Sequence, residues 1–126
     1  MRRSDHRCVP GRGYVPDRGY VTAEAALVLP TLTLFGVALI WGLMAVCGQI
    51  QCVDAARAGA RAAARSESAP AALAAAGAAA PEGAHIALAR EGDMVRVRVE
   101  ARTAGPGPLT VRLKGEAVAL AEETVE

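Results

Sequence analysis

The chain has 126 residues, of which 52% are hydrophobic, and a formal net charge of +1. A charge this close to zero argues against general electrostatic attraction to DNA or RNA. No aromatic residue follows Trp41, so the C-terminal two-thirds lacks the side chains that dominate ligand pockets and binding hot spots. The length allows one membrane anchor and one small domain.

The first 19 residues form a basic segment that ends at Gly19. This segment carries five arginines and two aspartates, which leaves the rest of the chain with nine basic and eleven acidic residues, a net charge of −2. A basic leader before an acidic body is typical of membrane targeting. Glu24 stands five positions after Gly19, at the edge of an apolar run. Because an ionisable group costs about 2.5–3.5 kcal/mol at a bilayer centre, Glu24 is a candidate functional residue.

A membrane-spanning helix is predicted from Ala25 to Cys47. These 23 or so apolar and small residues are enough to cross a hydrocarbon core of about 30 Å. Pro30 favours a kink but is tolerated in such helices. A removable signal peptide has a shorter apolar region of about 7–15 residues, and a lipoprotein site at Cys47 would need a small residue where Val46 stands. We therefore expect the helix to stay attached.

The helix is predicted to continue past the span to Arg65. Alanine and arginine are strong helix formers, and Arg57, Arg61 and Arg65 recur every four residues, which puts them on one helix face. Two interpretations are open for this face. It is a solvated stripe, or its arginines contact lipid phosphates or acidic residues of a neighbouring subunit.

Two segments together resemble the TadE-like minor pilins (pseudopilins) of the tight-adherence, or Flp-type, pilus system. The first runs from Gly19 through Glu24-Ala25-Ala26 into the apolar span, and the second is the Asp54–Arg61 run of alanine, glycine and arginine. The resemblance covers residues 17–65, and the composition resembles that of members from high-GC actinobacteria.

This resemblance implies that a prepilin peptidase cuts between Gly19 and Tyr20. Glu24 would then be residue five of the mature chain and would neutralise the new α-amine of a neighbouring subunit during assembly. Gly13 is followed by the same Tyr-Val pair as Gly19, but the fifth residue after it is Arg18 rather than an acid. Gly19 is therefore the predicted cleavage position.

The resemblance also implies a location and a set of partners. The protein would lie in the cytoplasmic membrane as a single-pass protein, with its N-terminus inside and its C-terminal domain outside, and could enter a cell-surface pilus. The expected partners are the membrane, the prepilin peptidase, other pilin and pseudopilin subunits, and the pilus assembly platform. No nucleic acid, small-molecule substrate or cofactor is expected.

Residues 66–83 are predicted to form a hinge and a short alanine-rich helix between Pro70 and Pro81. A low-complexity linker is the alternative interpretation, since so short a helix is marginal in isolation. The segment has only one large apolar side chain, Leu73.

Residues 84–126 are predicted to form a small antiparallel sheet. Val95–Glu100 alternates strictly between valine and charge, as a half-buried strand does. Turns are predicted at Glu91-Gly92-Asp93 and at residues 105–108. Val111 and Leu113 fall on one strand face but Val118 and Leu120 on the other, so Gly115 predicts either a bulge or a tight turn, and a bulged last strand is preferred.

The predicted fold class is α+β and pilin-like, with four segments. They are a leader (1–19), a transmembrane helix with its extracytoplasmic extension (20–65), a hinge with a short helix (66–83), and a three-stranded sheet (84–126). A sheet this small, with no aromatic residue, is expected to pack against the upper part of the helix or against partners.

Other functions and sites follow less directly from the sequence. A single-pass anchor that presents a binding or regulatory module explains the span equally well and predicts an intact N-terminus. An enzyme is disfavoured, because His85 is the sole histidine after Gly19 and no catalytic or metal-binding motif appears. Cys47 and Cys52 are expected to be buried small hydrophobes, with an intermolecular bridge through Cys52 as the alternative.

Overall fold

A computed structural model describes residues 11, 13, 18–103, 105 and 108–122 of the chain. The chain divides into two compact units, residues 1–36 and residues 37–126. Two helices and three strands follow in order: α1 (Arg18–Ala64), α2 (Ala69–Ala79), β1 (His85–Glu91), β2 (Met94–Arg102) and β3 (Arg112–Leu120). The α+β prediction is confirmed. Most of the predicted leader, Cys8 and part of the 105–108 turn lie outside the described residues.

Helix α1 ends in a Schellman motif, one residue before the predicted end at Arg65. The Ser66 amide donates to the Ala63 carbonyl at 3.2 Å, and the Glu67 amide donates to the Ala62 carbonyl at 3.3 Å. Ser66 takes the left-handed conformation that this motif requires, with φ of 61°. This tight ending lets α2 begin within a few residues.

Helix α2 forms, so the linker alternative is wrong. Ser68 is its N-cap and accepts a hydrogen bond from the Ala71 amide at 3.4 Å, and a proline stands in the first turn, where its missing N–H costs nothing. Ala72 and Ala76 are buried. Tertiary packing of this face stabilises a helix that would be marginal alone.

The sheet is an antiparallel meander in the order β1-β2-β3. Pairing between β2 and β3 is unbroken from Met94↔Leu120 to Arg102↔Arg112. The predicted bulge or turn at Gly115 is therefore wrong. Gly115 lies inside a regular strand, Ala117 and Ala119 continue its inward face, and the larger Val118 and Leu120 face outward.

The reason is steric. A Cβ at Gly115 would collide with the main chain of α1 at the carbonyl group of Cys52. Glycine here marks a close approach of two backbones rather than an irregular strand. Large side chains on this face would hold the strand away from the helix, whereas glycine and alanine allow contact.

The core of residues 37–126 is built mainly from small side chains, and α1 supplies about half of it. Val95, Val97 and Val99 from β2 are its largest fully buried side chains, together with Cys52. The remaining members are Ala55, Ala56, Ala60, Ala62, Ala63, Ala72, Ala76, Ala101 and Leu113. The expectation that the sheet packs against the upper part of the helix is confirmed.

Candidate processing and assembly site

The predicted cleavage position lies in the first turn of α1. Gly19 and Tyr20 are both exposed, Tyr20 at 76%. A Cβ added at Gly19 would meet no heavy atom within 4 Å. No described residue therefore covers the Gly19–Tyr20 bond. Because both residues are helical, this turn would have to open for the bond to enter an extended active-site cleft.

Glu24 is exposed on the second turn of the helix. Its spacing of four from Tyr20 puts the two residues on the same face, about 6 Å apart along the axis. Glu24 makes no ion pair with any residue that the structure describes. Its carboxylate is therefore available to a positive group from outside the unit.

The helix around Pro30 supplies hydrogen bonds from its own side chains. Pro30 lacks an amide hydrogen and so interrupts the backbone ladder. The Thr31 hydroxyl donates to the Leu27 carbonyl at 2.7 Å, and the Thr33 hydroxyl donates to the Leu29 carbonyl at 2.9 Å. Both threonines thus satisfy their polar atoms within the helix, which a hydrocarbon environment demands.

The apolar run of α1 is long and hydrophobic enough to cross a membrane, and none of its most hydrophobic 18-residue window is buried by the rest of the chain. Leu27, Leu34 and Phe35 are each more than 60% exposed. Side chains of this kind need an apolar surrounding such as lipid or other helices.

The three candidate arginines lie on the part of α1 that continues beyond the apolar run. Arg57, Arg61 and Arg65 are exposed and lie opposite the alanines that face the sheet. Arg65 pairs with Glu67 at 2.9 Å. Among the described residues, neither Arg57 nor Arg61 forms an ion pair, so these two keep their charge free for lipid or a partner.

Comparison with known proteins assigns this helix to a family. Residues 19–61 match the model of the TadE-like protein family, and the match begins at Gly19. Residues 19–61 are TadE-like. The resemblance predicted from Gly19, Glu24 and the alanine–arginine run is therefore confirmed for the helix, and the match supports a relation to the tight-adherence pilus system.

A curated relative extends the similarity beyond the helix. The protein named Apoptosis inhibitor Rv3655c, from Mycobacterium tuberculosis, is 40% identical over 80 residues, which cover 64% of this chain and 63% of the relative. The chain thus spans less than two thirds of that protein's length. No solved structure matches the chain.

The TadE-like helix and the sheet meet along a seam that sequence reasoning missed. The Gln49 side chain donates to the Lys114 carbonyl at 2.7 Å and accepts from the Lys114 amide at 3.2 Å, so it pairs with β3 as another strand would. The sequence feature that could have indicated this contact is the polar Gln-x-Gln pair just after the apolar span. Gly48 lies so near Leu113 that an added Cβ would be 2.6 Å from its Cδ1.

Two cysteines of the TadE-like helix differ in exposure. Cys47 is exposed and Cys52 is buried, and neither is in a disulfide. Burial raises the pKa of the Cys52 thiol, which further lowers its reactivity. The alternative of an intermolecular bridge through Cys52 is therefore wrong for the folded chain, and the expectation that Cys47 is buried is also wrong.

Proposed function

We propose that this TadE-like chain is a minor pilin, or pseudopilin, which a prepilin peptidase cuts between Gly19 and Tyr20 and which takes part in assembling a tight-adherence pilus. The observation that carries the proposal is the family match, because it begins at Gly19, the residue that the spacing to Glu24 had singled out. The exposed, unhindered Gly19 supports the same position.

In the proposed mechanism, cleavage frees the α-amine of Tyr20, and Glu24 of one subunit pairs with that amine on a neighbour. The charges attract strongly in a medium of low dielectric, and the pair sets the axial register of adjacent helices. The uncovered apolar face of α1 then exchanges lipid for the helices of other subunits. The sheet domain stays outside the cytoplasm, where it contacts other pilins or the assembly platform.

N-terminal sequencing or intact mass of the chain extracted from membranes tests the cleavage. A mature chain that begins at Tyr20 supports the proposal, and an intact N-terminus supports a plain single-pass anchor instead. Gly19→Phe should block processing in cells that contain the peptidase. Gly13→Phe is the matched control, because Gly13 has the same two residues after it but no acid at the fifth position.

The role of Glu24 needs a separate measurement. Glu24→Gln keeps the size of the side chain and removes its charge, so we expect normal cleavage but a strong loss of the chain from sheared pili. Glu91→Gln is the control, because it removes an exposed carboxylate that lies outside the apolar run and forms no ion pair among the described residues. Normal incorporation of Glu24→Gln would refute the register mechanism without affecting the cleavage claim.

A further inference from the structure

The loop between β2 and β3, residues 103–111, contains no ionisable residue. A hydrogen bond from the Thr103 amide to the Val111 carbonyl, at 3.0 Å, closes its base. Leu109 is 58% exposed and Val111 is 38% exposed. The loop thus presents apolar side chains to its surroundings, although nothing in the rest of the described chain covers them.

This loop lies beside the apolar part of α1. A Cβ added at Gly105 would be 3.1 Å from the indole nitrogen of Trp41, and Trp41 belongs to the predicted span. The indole nitrogen is buried and has no hydrogen-bond partner among the described residues. Trp41 stands about 9 Å along the helix before the predicted end of the span at Cys47, which is close to the lipid–water interface where tryptophan is enriched. The loop therefore reaches the level at which the helix enters the bilayer.

Two arginines stand at the base of the loop. Arg102 and Arg112 are paired directly across β2 and β3, both are exposed, and within the described chain neither pairs with a carboxylate. Like charges directly opposite each other destabilise a sheet unless an anion lies between them. Lys114 lies on the same face of β3 but stands directly opposite Glu100, so the charges without an opposite partner across the strands are those of Arg102 and Arg112. The turn at the other end of the sheet carries Glu91 and Asp93 instead.

We propose that the β2–β3 loop is a second membrane contact, in which Leu109 and Val111 enter the interfacial layer and Arg102 and Arg112 bind the phosphates of anionic lipids. These lipids belong to the membrane leaflet on the side where α1 leaves the bilayer and meets the sheet. An interfacial contact requires apolar residues that enter the boundary of the acyl chains and basic residues at the level of the lipid phosphates. The proposal needs the membrane span but not the pilin role.

This contact differs from the predicted lipid role of the helix arginines. Arg57 lies eight residues beyond Gln49, about 12 Å further along the helix, whereas Arg102 and Arg112 are next to the loop that reaches Trp41. The sheet arginines are therefore the nearer ones to the bilayer. By fixing the sheet at two points, the helix and the loop, the contact would stop the domain from turning about the helix axis.

The test uses the full chain in two kinds of nanodisc. The neutral discs contain phosphatidylcholine alone, and the anionic discs also contain roughly 30% phosphatidylglycerol, an anionic content at which basic residues bind the membrane surface. A nitroxide label is attached at Leu109→Cys in a Cys8→Ser/Cys47→Ala background, and its exposure to oxygen and to a water-soluble nickel chelate is measured. Asp93→Cys, in the turn at the opposite end of the sheet, is the matched control. We expect oxygen to reach the Leu109 label and nickel to be excluded, with the reverse at Asp93.

Charge is tested by Arg102→Gln/Arg112→Gln against Arg90→Gln/Arg98→Gln, two exposed arginines of the sheet that lie farther from the loop. In anionic discs the Arg102→Gln/Arg112→Gln chain should show a ratio of membrane-inserted to free loop that is roughly 30-fold lower, about fivefold for each arginine. The control pair should leave this ratio unchanged. In the unlabelled native chain, tryptic cleavage after Arg102 and Arg112 should be slower in anionic than in neutral discs.

Equal nickel exposure at Leu109 and Asp93 would overturn the insertion of the loop. Unchanged depth in the Arg102→Gln/Arg112→Gln chain, or equal tryptic rates in the two kinds of disc, would overturn the binding of lipid phosphates. All substituted side chains that the structure describes are exposed, and the unlabelled native chain gives a result that depends on no substitution.

Discussion

Gly115→Ala is the substitution that tests the packing of the sheet on the helix most directly. The added methyl group would collide with the Cys52 carbonyl group of α1. Because the obstacle is backbone rather than the end of a flexible side chain, neither partner can move aside alone. The middle of β3 must therefore shift away from the helix as a unit.

The expected cost follows from what that shift breaks. One extra methyl group in a well-packed core typically costs about 1–3 kcal/mol. Lys114, the residue before Gly115, would also lose its two hydrogen bonds to Gln49, at 2.7 and 3.2 Å, each worth about 0.5–1.5 kcal/mol. We expect a total loss of about 2–6 kcal/mol in the free energy of opening, which is a large fraction of the stability of a small domain.

Cys52 provides the assay, because its side chain is fully buried beneath β3. Alkylation of Cys52 in a Cys8→Ser/Cys47→Ala background, in detergent, requires the sheet to leave the helix. When opening and closing are fast, the rate follows the population of the open state. A loss of about 2–6 kcal/mol then corresponds to alkylation that is roughly 30 to 25,000 times faster, up to the rate of the fully open chain.

Gly77→Ala is the control, because an added Cβ there meets only the Ile86 Cδ1 atom at 3.9 Å. Alanine in a helix interior is favoured over glycine by up to about 1 kcal/mol, so this variant should react no faster than the parent. An unchanged alkylation rate in Gly115→Ala would show that β3 does not lie against Cys52, and the seam described above would be wrong.

Other substitutions address separate features. Gln49→Ala should lower stability by about 1–2 kcal/mol, read by the same alkylation of Cys52, because it leaves the Lys114 main chain without its partner; an unchanged rate would exclude the strand-like role of Gln49. Ser66→Gly should raise the thermal midpoint, since glycine adopts the φ of 61° without strain, and a lower midpoint would mean that the Ser66–Glu122 hydrogen bond matters more. Glu116→Gln breaks exposed ion pairs with Arg96 and Arg98, so denaturation should show a loss below about 1 kcal/mol that vanishes in high salt. Burial raises the pKa of Cys52, so the neutral thiol contributes fully to the free energy of unfolding below the ordinary thiol pKa, and this contribution is lost as pH rises above about 8.5. Cys52→Ala should remove this loss of stability at alkaline pH. An identical loss in that variant would assign it to another group.

The sequence predicted the elements well because each has a local cause. The apolar run and the alanine–arginine segment both favour helix, and the alternation from Val95 to Glu100 has the period of a strand. Ser68 and Pro70 marked the start of α2 by capping chemistry that acts within a few residues. The processing residues were predicted from spacing, and their roles at Gly19, Tyr20 and Glu24 stay predictions.

What failed was non-local. The apparent register slip at Gly115 came from assuming that the larger residues Val118 and Leu120 must face the core, whereas contact with the α1 backbone selects the small residues instead. The pairing of Arg102 with Arg112, and the position of Trp41 beside Gly105, depend on which strands and helix turns become neighbours. No periodicity in a single segment contains that information.

The use of small residues explains how one helix can serve two environments. Up to Cys47, α1 exposes large apolar side chains, and none of its most hydrophobic stretch is covered by the rest of the chain. From Gly48 onward the inward face changes to glycine and alanine, which bring the sheet close enough for backbone contact and compensate for the absence of aromatic residues. The sheet therefore leaves the most hydrophobic stretch of α1 free for lipid or neighbouring helices. Under the proposed function, a subunit that moves from lipid into a bundle of helices would exchange the first surface without disturbing the second, as assembly of a fibre from membrane-anchored subunits requires.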